Sequence, residues 1–170
     1  MGGGGSTHTG ARTGSFTDRR DEPAPVTGGT YTLLIALGER AEIEVGALGA
    51  HLLEPGWYAY TGSAFGPGGF SRVERHRELA RGERVVRHWH VDALLCHEGS
   101  RIEGVVRSPD ADVECTVARA LPDAGIAGFG ASDCSCRSHL AYDRSARALL
   151  RAASRAHWAA FSGSGNRALD

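Results

Sequence analysis

One stretch of the chain, from Gly56 to His76, constrains the fold more than any other. It begins with alternating aromatic residues from Trp57 to Tyr60, a pattern that favours a half-buried strand. A loop rich in glycine and proline follows, and then a polar helix that presents Arg72 and His76 on one face. Because glycines expose backbone N–H groups and arginine offers a fork of donors, this order of elements suits the binding of a phosphate group.

The motifs around this stretch resemble those of a known superfamily. Gly29-Thr30-Tyr31, then Tyr60-Thr61-Gly62-Ser63-Ala64, then Arg72 and His76, resemble the GIY-YIG nucleases. Four further motifs resemble a small prokaryotic branch known as domain of unknown function 123: Phe65-Gly-Pro-Gly-Gly69, His88-Trp-His-Val-Asp92, Glu114-Cys115 and Gly128-Phe-Gly-Ala-Ser-Asp-Cys-Ser-Cys-Arg-Ser-His-Leu140. The resemblance covers roughly residues 28–142. It differs from the superfamily in the long interval between Tyr31 and Tyr60, which implies an inserted strand.

Length and composition predict a single domain. The chain has 170 residues, a net charge of −1 and nineteen basic residues that are all arginine. This near-neutral charge gives no global field for nucleic acid, although six arginines and only three glutamates lie between Arg72 and Arg87. Four cysteines without a signal peptide predict a cytoplasmic protein with reduced thiols, and the apolar runs are too short for a membrane span.

Periodicity predicts an α+β domain: a small, mainly antiparallel sheet flanked by helices, as the GIY-YIG resemblance also implies. We expect a disordered tail over 1–27, the domain over 28–142, an arginine-rich helix over 143–161 and a second tail over 162–170. The first two strands, 31–37 and 41–45, are predicted to form a hairpin at Gly38–Arg40. Further strands are predicted over 57–61, 102–107 and 137–142, and helices over 69–81, 87–97 and 110–121.

The resemblance implies a catalytic set of five residues. Glu114 corresponds to the glutamate that holds a single Mg²⁺ or Mn²⁺ ion, and Arg72 to the arginine that holds the scissile phosphate. Tyr60 corresponds to the proposed general base, and Tyr31 to a tyrosine that orients water or phosphate. His76 either contacts the leaving group or positions Arg72. Each residue also has an ordinary structural explanation: the tyrosines as core, Arg72 and His76 on a solvated helical face, and Glu114 in the first turn of a helix.

A second group of residues is predicted to contact nucleic acid. Its members are polar or cationic and lie on the two arginine-rich helices or in the loops beside the glycine stretch. They are Ser63, Arg75, Arg81, His88, His90, Arg144, Arg147 and Arg151. For His88 and His90, hydrogen bonds within the fold are an open alternative.

Cysteine and histidine cluster near the end of the domain. Cys134, Cys136 and His139 have a spacing that can ligate zinc, and Cys115 lies upstream. The alternatives are buried thiols near a turn, or a transient disulfide between Cys115 and one of the other two cysteines.

These patterns predict three functions. The first is a divalent-metal-dependent endonuclease that acts on DNA, with RNA an open alternative and a DNA-repair protein as a possible partner, because relatives of this branch can be fused to repair glycosylases. The second is a nucleic-acid-binding domain that has the fold without cleavage. The third is a zinc-stabilised interaction domain.

Overall fold

The structure is a computed structural model, and it describes Met1 and residues 28–164. It confirms an α+β domain with a mainly antiparallel sheet and flanking helices. The two predicted tails lie largely outside the described residues. The last helix continues to Ser164, three residues beyond its predicted end at Phe161.

Six strands and four helices make up the described domain. The strands are β1 (Gly29–Leu37), β2 (Ala41–Glu44), β3 (Ala50–Leu53), β4 (Gly56–Ser63), β5 (Ser100–Pro109) and β6 (Leu140–Asp143). The helices are α1 (Ser71–Ala80), α2 (His90–Leu95), α3 (Glu114–Arg119) and α4 (Ala146–Ser164), with a 3-10 turn over Gly46–Leu48. Four strands form one antiparallel sheet in the order β5-β1-β4-β6.

The predicted hairpin between the first two strands is wrong. β1 pairs with β4 on one side and with β5 on the other along its whole length, so it has no free edge for β2. β2 pairs instead with β3 in a separate two-stranded sheet, from Ala41↔Leu53 to Glu44↔Ala50. This small sheet occupies the long interval between Tyr31 and Tyr60, where an inserted strand was predicted.

The main sheet separates two apolar cores. Alternate residues of β1 point to opposite faces, as the period of a strand requires. Leu33 and Ile35 pack in one core with α1, α2 and the small sheet. Leu34 packs in the other core with α3 and α4. The two arginine-rich helices, α1 and α4, therefore lie on opposite faces of the sheet.

Helix α3 is shorter than predicted. The sequence predicts a helix over 110–121, but the structure begins it at Glu114 because Asp110 adopts a left-handed backbone conformation (φ 54°). The buried Thr30 hydroxyl then donates to the Ala111 carbonyl, 2.8 Å away, and accepts from the Val113 N–H at 3.0 Å. These two bonds tie the start of α3, and so Glu114, to the first residues of β1.

A buried polar network joins α4 to the sheet. Nε2 of His157 lies 2.8 Å from Oγ1 of Thr32, and its Nδ1 lies 2.8 Å from Oγ of Ser108. The Thr32 hydroxyl also bonds the Thr61 hydroxyl at 2.9 Å. Burial lowers the pKa of His157 to about 4, so the imidazole is neutral at pH 7. Among residues 28–164, no helix is long and apolar enough to cross a membrane.

The network makes stability depend on pH. Because the pKa of His157 is lower in the folded state than its ordinary value of 6.5, the unfolded chain binds the extra proton as the pH falls. We expect this residue to remove up to roughly 3 kcal/mol of unfolding free energy between about pH 6.5 and pH 4. The His157→Gln variant keeps a hydrogen-bond donor and acceptor at this position but removes the ionisable group. The wild-type-minus-variant difference in urea unfolding should shrink over this pH range; a constant difference would contradict the prediction.

Candidate active site

Residues from six separate segments line one cavity of about 190 Å³. Four of the five predicted catalytic residues line it, namely Tyr31, Tyr60, Arg72 and Glu114, whereas His76 does not. The cavity is also lined by Ser63, His88, Trp89, His90, Gly130, Ser132 and Asp133. A larger cavity of about 600 Å³ lies beside the glycine loop, but Asp110 is its one titratable lining residue. We therefore consider the smaller cavity to be the candidate active site.

Two glycines make room for the two tyrosines. Gly62 lies opposite Tyr31 in the β1–β4 pairing, and a Cβ at Gly62 would lie 2.7 Å from the Tyr31 hydroxyl oxygen. Gly130 has a left-handed φ of 69°, and a Cβ there would lie 2.8 Å from Cε2 of Tyr60. Any side chain at either position would displace a tyrosine ring from the cavity wall.

Arg72 is held at the cavity edge by its backbone and aromatic neighbours. Its Nη1 donates to the carbonyl of Ser63 at 2.9 Å, and its Cζ lies 4.8 Å from the ring centroid of Trp89. Arg75 also lies over this ring, with its Cζ 4.4 Å from the centroid. The contacts fix the direction of the Arg72 guanidinium while leaving donors for a ligand.

His76 does not lie on a solvated face of α1. Its side chain is 1 % exposed, and its Nε2 bonds the hydroxyl of Tyr31 at 2.9 Å. Its Nδ1 lies 3.3 Å from Oδ1 of Asp92, at an angle too oblique for a hydrogen bond. His76 therefore contacts Tyr31 directly and has no contact with Arg72 among the described hydrogen bonds.

The carboxylate of Asp92 is fully buried and organises this side of the cavity. Arg75 donates to both of its oxygens, at 3.2 Å and 2.9 Å, and the backbone N–H groups of His88 and Trp89 donate to Oδ2. Burial alone would raise the pKa of Asp92, but the contacts from His76, Arg75 and the two N–H groups outweigh it and hold the pKa well below its ordinary value. Asp92 is thus ionised and fixes both α1 and the 88–90 loop.

Both tyrosines are neutral phenols. Burial raises the pKa of Tyr31 and that of Tyr60 above the ordinary value of 10, and the nearby Arg72 offsets only part of the effect. The two hydroxyls differ in their contacts: Tyr31 bonds His76, whereas Tyr60 makes no hydrogen bond among the described residues.

Glu114, the first residue of α3, lines the cavity and also bonds a histidine. Its Oε1 accepts a hydrogen bond from Nδ1 of His139 at 3.1 Å, and its side chain is 23 % exposed. Burial alone would lower the pKa of His139, but hydrogen bonds with Glu114 and Cys136 raise it to about 9. Oε2 of Glu114 has no partner among the described residues.

Behind Glu114 lies a cluster that could hold a metal ion. The ligand atoms of Cys115, Cys134, Cys136 and His139 all lie within 4.8 Å of one another. All four cysteines of the described chain are free thiols. Burial, together with hydrogen bonds with Cys136 and Cys134, raises the pKa of Cys115 to about 12. For Cys136, hydrogen bonds with His139, Cys115 and Cys134 outweigh burial and lower the pKa. A bound cation would stabilise the thiolate form of these side chains.

The remaining predicted nucleic-acid contacts are dispersed. Ser63 and His88 line the cavity, and His90 lines it while its Nδ1 accepts from the Gly130 N–H at 2.9 Å. Arg75 is occupied by Asp92, and Arg81 pairs with Glu74 and Glu83. Arg144, Arg147 and Arg151 are exposed, but they lie on or just before α4, beyond the sheet from Tyr31 and Tyr60.

Sequence reasoning missed the role of Asp92 and of Trp89. The capping pattern could have found Asp92, because a carboxylate three residues after the N-cap of a helix accepts backbone N–H bonds and Arg75 requires a counter-ion. Ser132 and Asp133 also line the cavity, whereas Ser138 bonds the backbone of Leu140 instead.

The fold and the cavity together define a small α+β domain with a polar site beside a cluster that could hold a metal ion. The profile of the family described as "Domain of unknown function DUF123" matches residues 30–161, and the chain belongs to this family. Comparison with curated proteins and with solved structures finds no match.

The buried Asp92 carboxylate should dominate local stability. Replacing it with asparagine leaves Arg75 without its charge partner, and we expect Asp92→Asn to lower the unfolding free energy by about 3 kcal/mol at pH 7. Because the pKa of Asp92 is lowered on folding, this loss should shrink as the pH falls below about 4. Glu83→Gln removes a carboxylate from an exposed pair with Arg81 and should cause no measurable change. Equal effects of the two variants in urea unfolding would refute the assignment.

Proposed function

We propose that the chain is a divalent-metal-dependent endonuclease of the GIY-YIG type that hydrolyses phosphodiester bonds in DNA in the cytoplasm. One observation supports this proposal above the others. Tyr31, Tyr60, Arg72 and Glu114 lie far apart in sequence, yet all line a single cavity of about 190 Å³. Core packing or helix capping explains each residue separately, but neither requires all four to meet.

The residues at Glu114 fit a hard divalent ion such as Mg²⁺ or Mn²⁺. Such an ion keeps several waters and is bound in proteins through one or two carboxylates. Glu114 supplies one, with an oxygen that has no partner among the described residues, and Asp133 lines the same cavity. A bound ion would polarise a phosphoryl oxygen and offset the negative charge that develops during hydrolysis.

In this proposal Arg72 holds the scissile phosphate. Its guanidinium is oriented by Ser63 and by Trp89, so little rotamer entropy is lost when a phosphate binds. The planar fork of an arginine matches two phosphate oxygens better than a lysine does.

The contacts of Tyr31 favour it over Tyr60 as the residue that moves a proton. As the water oxygen bonds to phosphorus, the bond to the leaving sugar oxygen breaks, and that oxygen keeps the electron pair and takes a proton from solvent. The Tyr31 oxygen accepts a proton from the attacking water while its own proton passes to Nε2 of His76. The carboxylate of Asp92, 3.3 Å from Nδ1, stabilises the imidazolium that results. A relay of this kind needs no free phenolate, so the raised pKa of Tyr31 is compatible with it. Tyr60 then orients the water or the phosphate.

The donor set of the cysteine cluster favours zinc. Three cysteines and a histidine whose ligand atoms lie within 4.8 Å of one another are a donor set that selects Zn²⁺ over Mg²⁺ or Mn²⁺, which prefer oxygen ligands. The two metals would therefore occupy different sites, zinc in the cluster and the hard ion at Glu114. Zinc alone also supports the alternative of an interaction domain that the metal stabilises.

A second candidate function is nucleic-acid binding without cleavage. It is favoured by the neutral state of both tyrosines, because a neutral phenol is a weak base. In that case Arg72 and the exposed arginines of α4 contact phosphates and no hydrolysis follows.

Glu114→Gln should abolish the nicking of supercoiled plasmid DNA in Mg²⁺ or Mn²⁺, because the amide removes the charge that holds the ion. Asp112→Asn makes the same change at an exposed position two residues earlier and should nick like the wild type. Circular dichroism confirms that both variants fold. A labelled RNA is assayed in parallel as a second substrate. Undiminished nicking by Glu114→Gln would rule out the role of Glu114.

Arg72→Ala should lower the nicking rate by roughly 10²- to 10³-fold, as expected when one preorganised donor to a reacting group is lost. Arg101→Ala, at an exposed position on β5, is the matched control. If the wild type binds DNA with a steep salt dependence, and no divalent ion that is added leads to cleavage, the binding-only function is correct.

A further inference from the structure

We propose that a zinc ion bound by Cys115, Cys134, Cys136 and His139 orients Glu114 through the imidazole of His139. The cluster is then a positioning device for the carboxylate of the candidate active site. The catalytic role of Glu114 in this inference rests on the proposed function, whereas the existence of the zinc site is independent of that function.

The two ring nitrogens of His139 face two different groups. Nε2 lies 3.4 Å from Sγ of Cys134, within the four-atom cluster, and Nδ1 lies 3.1 Å from Oε1 of Glu114. Zinc on Nε2 requires that nitrogen to be unprotonated, so the ring proton must be on Nδ1, where it donates to Glu114. A ligating histidine that donates its second N–H to a carboxylate is a recurrent arrangement, and the carboxylate fixes the ring orientation.

Glu114 and Cys115 are neighbours at the start of α3, so one helical turn supplies both a zinc ligand and the carboxylate outside it. The other ligands come from the loop before β6, which is tied to the sheet through the backbone of His139. Its N–H donates to the Phe129 carbonyl at 2.7 Å, and its carbonyl accepts from the Thr61 N–H at 3.0 Å. Zinc would therefore fasten α3 to the strand that carries Tyr60.

The bond to His139 uses one oxygen of Glu114 and leaves the other without a partner among the described residues. The side chain is partly exposed and lines the cavity. In the proposed enzyme Glu114 thus joins two metal sites, one through a histidine and one directly. Without the cluster metal, the His139 ring could turn and the carboxylate would lose its fixed direction.

Zinc affinity tests this inference without an assay of cleavage. The full-length protein is purified, its zinc content is measured, and the dissociation constant for Zn²⁺ is determined by competition with a chromophoric chelator. The wild type should contain one zinc per chain, whereas Cys134→Ser should contain none; Cys96→Ser, outside the cluster, should match the wild type. Glu114→Gln should bind Zn²⁺ about 10- to 100-fold more weakly, while Asp112→Asn should be unchanged.

Substitution with Co²⁺ shows whether the ligands survive in Glu114→Gln, because a tetrahedral thiolate site gives an intense visible spectrum. A wild-type spectrum with weakened affinity supports the positioning role. No bound zinc in the wild type, or equal affinity in Glu114→Gln and the wild type, overturns the inference. Weakened zinc affinity in a protein that cleaves nothing would refute the proposed function alone, whereas cleavage with unchanged zinc affinity would refute this inference alone.

Discussion

The structure around the cavity depends on the buried charge of Asp92. A carboxylate with no exposure is stable in a protein only if donors replace its lost water, and Arg75 and two backbone N–H groups do so here, with Nδ1 of His76 3.3 Å away. These partners come from α1 and from the segment that begins α2. One anion therefore fixes the distance between two helices, the direction of the Trp89 ring that supports Arg72, and the histidine that contacts Tyr31.

The second organising unit is the cluster behind Glu114. It lies on the other side of the cavity and is built from α3 and the loop before β6. Both segments also reach the apolar cores, α3 through Val117 and the loop through Phe129. Polar contacts therefore hold the cavity wall on both sides, and the apolar cores of the sheet keep the two walls in register.

The sequence predicts much of the fold because local patterns decide it. The aromatic alternation of β4, the apolar run of β1 and the stripes of α1, α2 and α4 are visible without a structure. It cannot predict that β1 pairs with β4 and β5 instead of β2, since strand pairing is a long-range choice between edges. The late start of α3 follows from the left-handed backbone of Asp110 and is held by the bond between Thr30 and Val113, which lie 83 residues apart in sequence. The motif resemblance identified the tyrosines, Arg72 and Glu114, but the burial of His76 against Asp92 depends on tertiary packing.

The network of His157 has a consequence for how the chain finds its pairing. Thr30 and Thr32 of β1 lie on one face of the sheet and Tyr31 and Leu33 on the other, so a slip of one residue would turn Thr32 into the apolar core and Leu33 towards the imidazole. Such a slip leaves buried polar atoms without their hydrogen bonds. The two threonine hydroxyls of β1 thus specify one register of the sheet, because a register shifted by one residue would cost their buried hydrogen bonds.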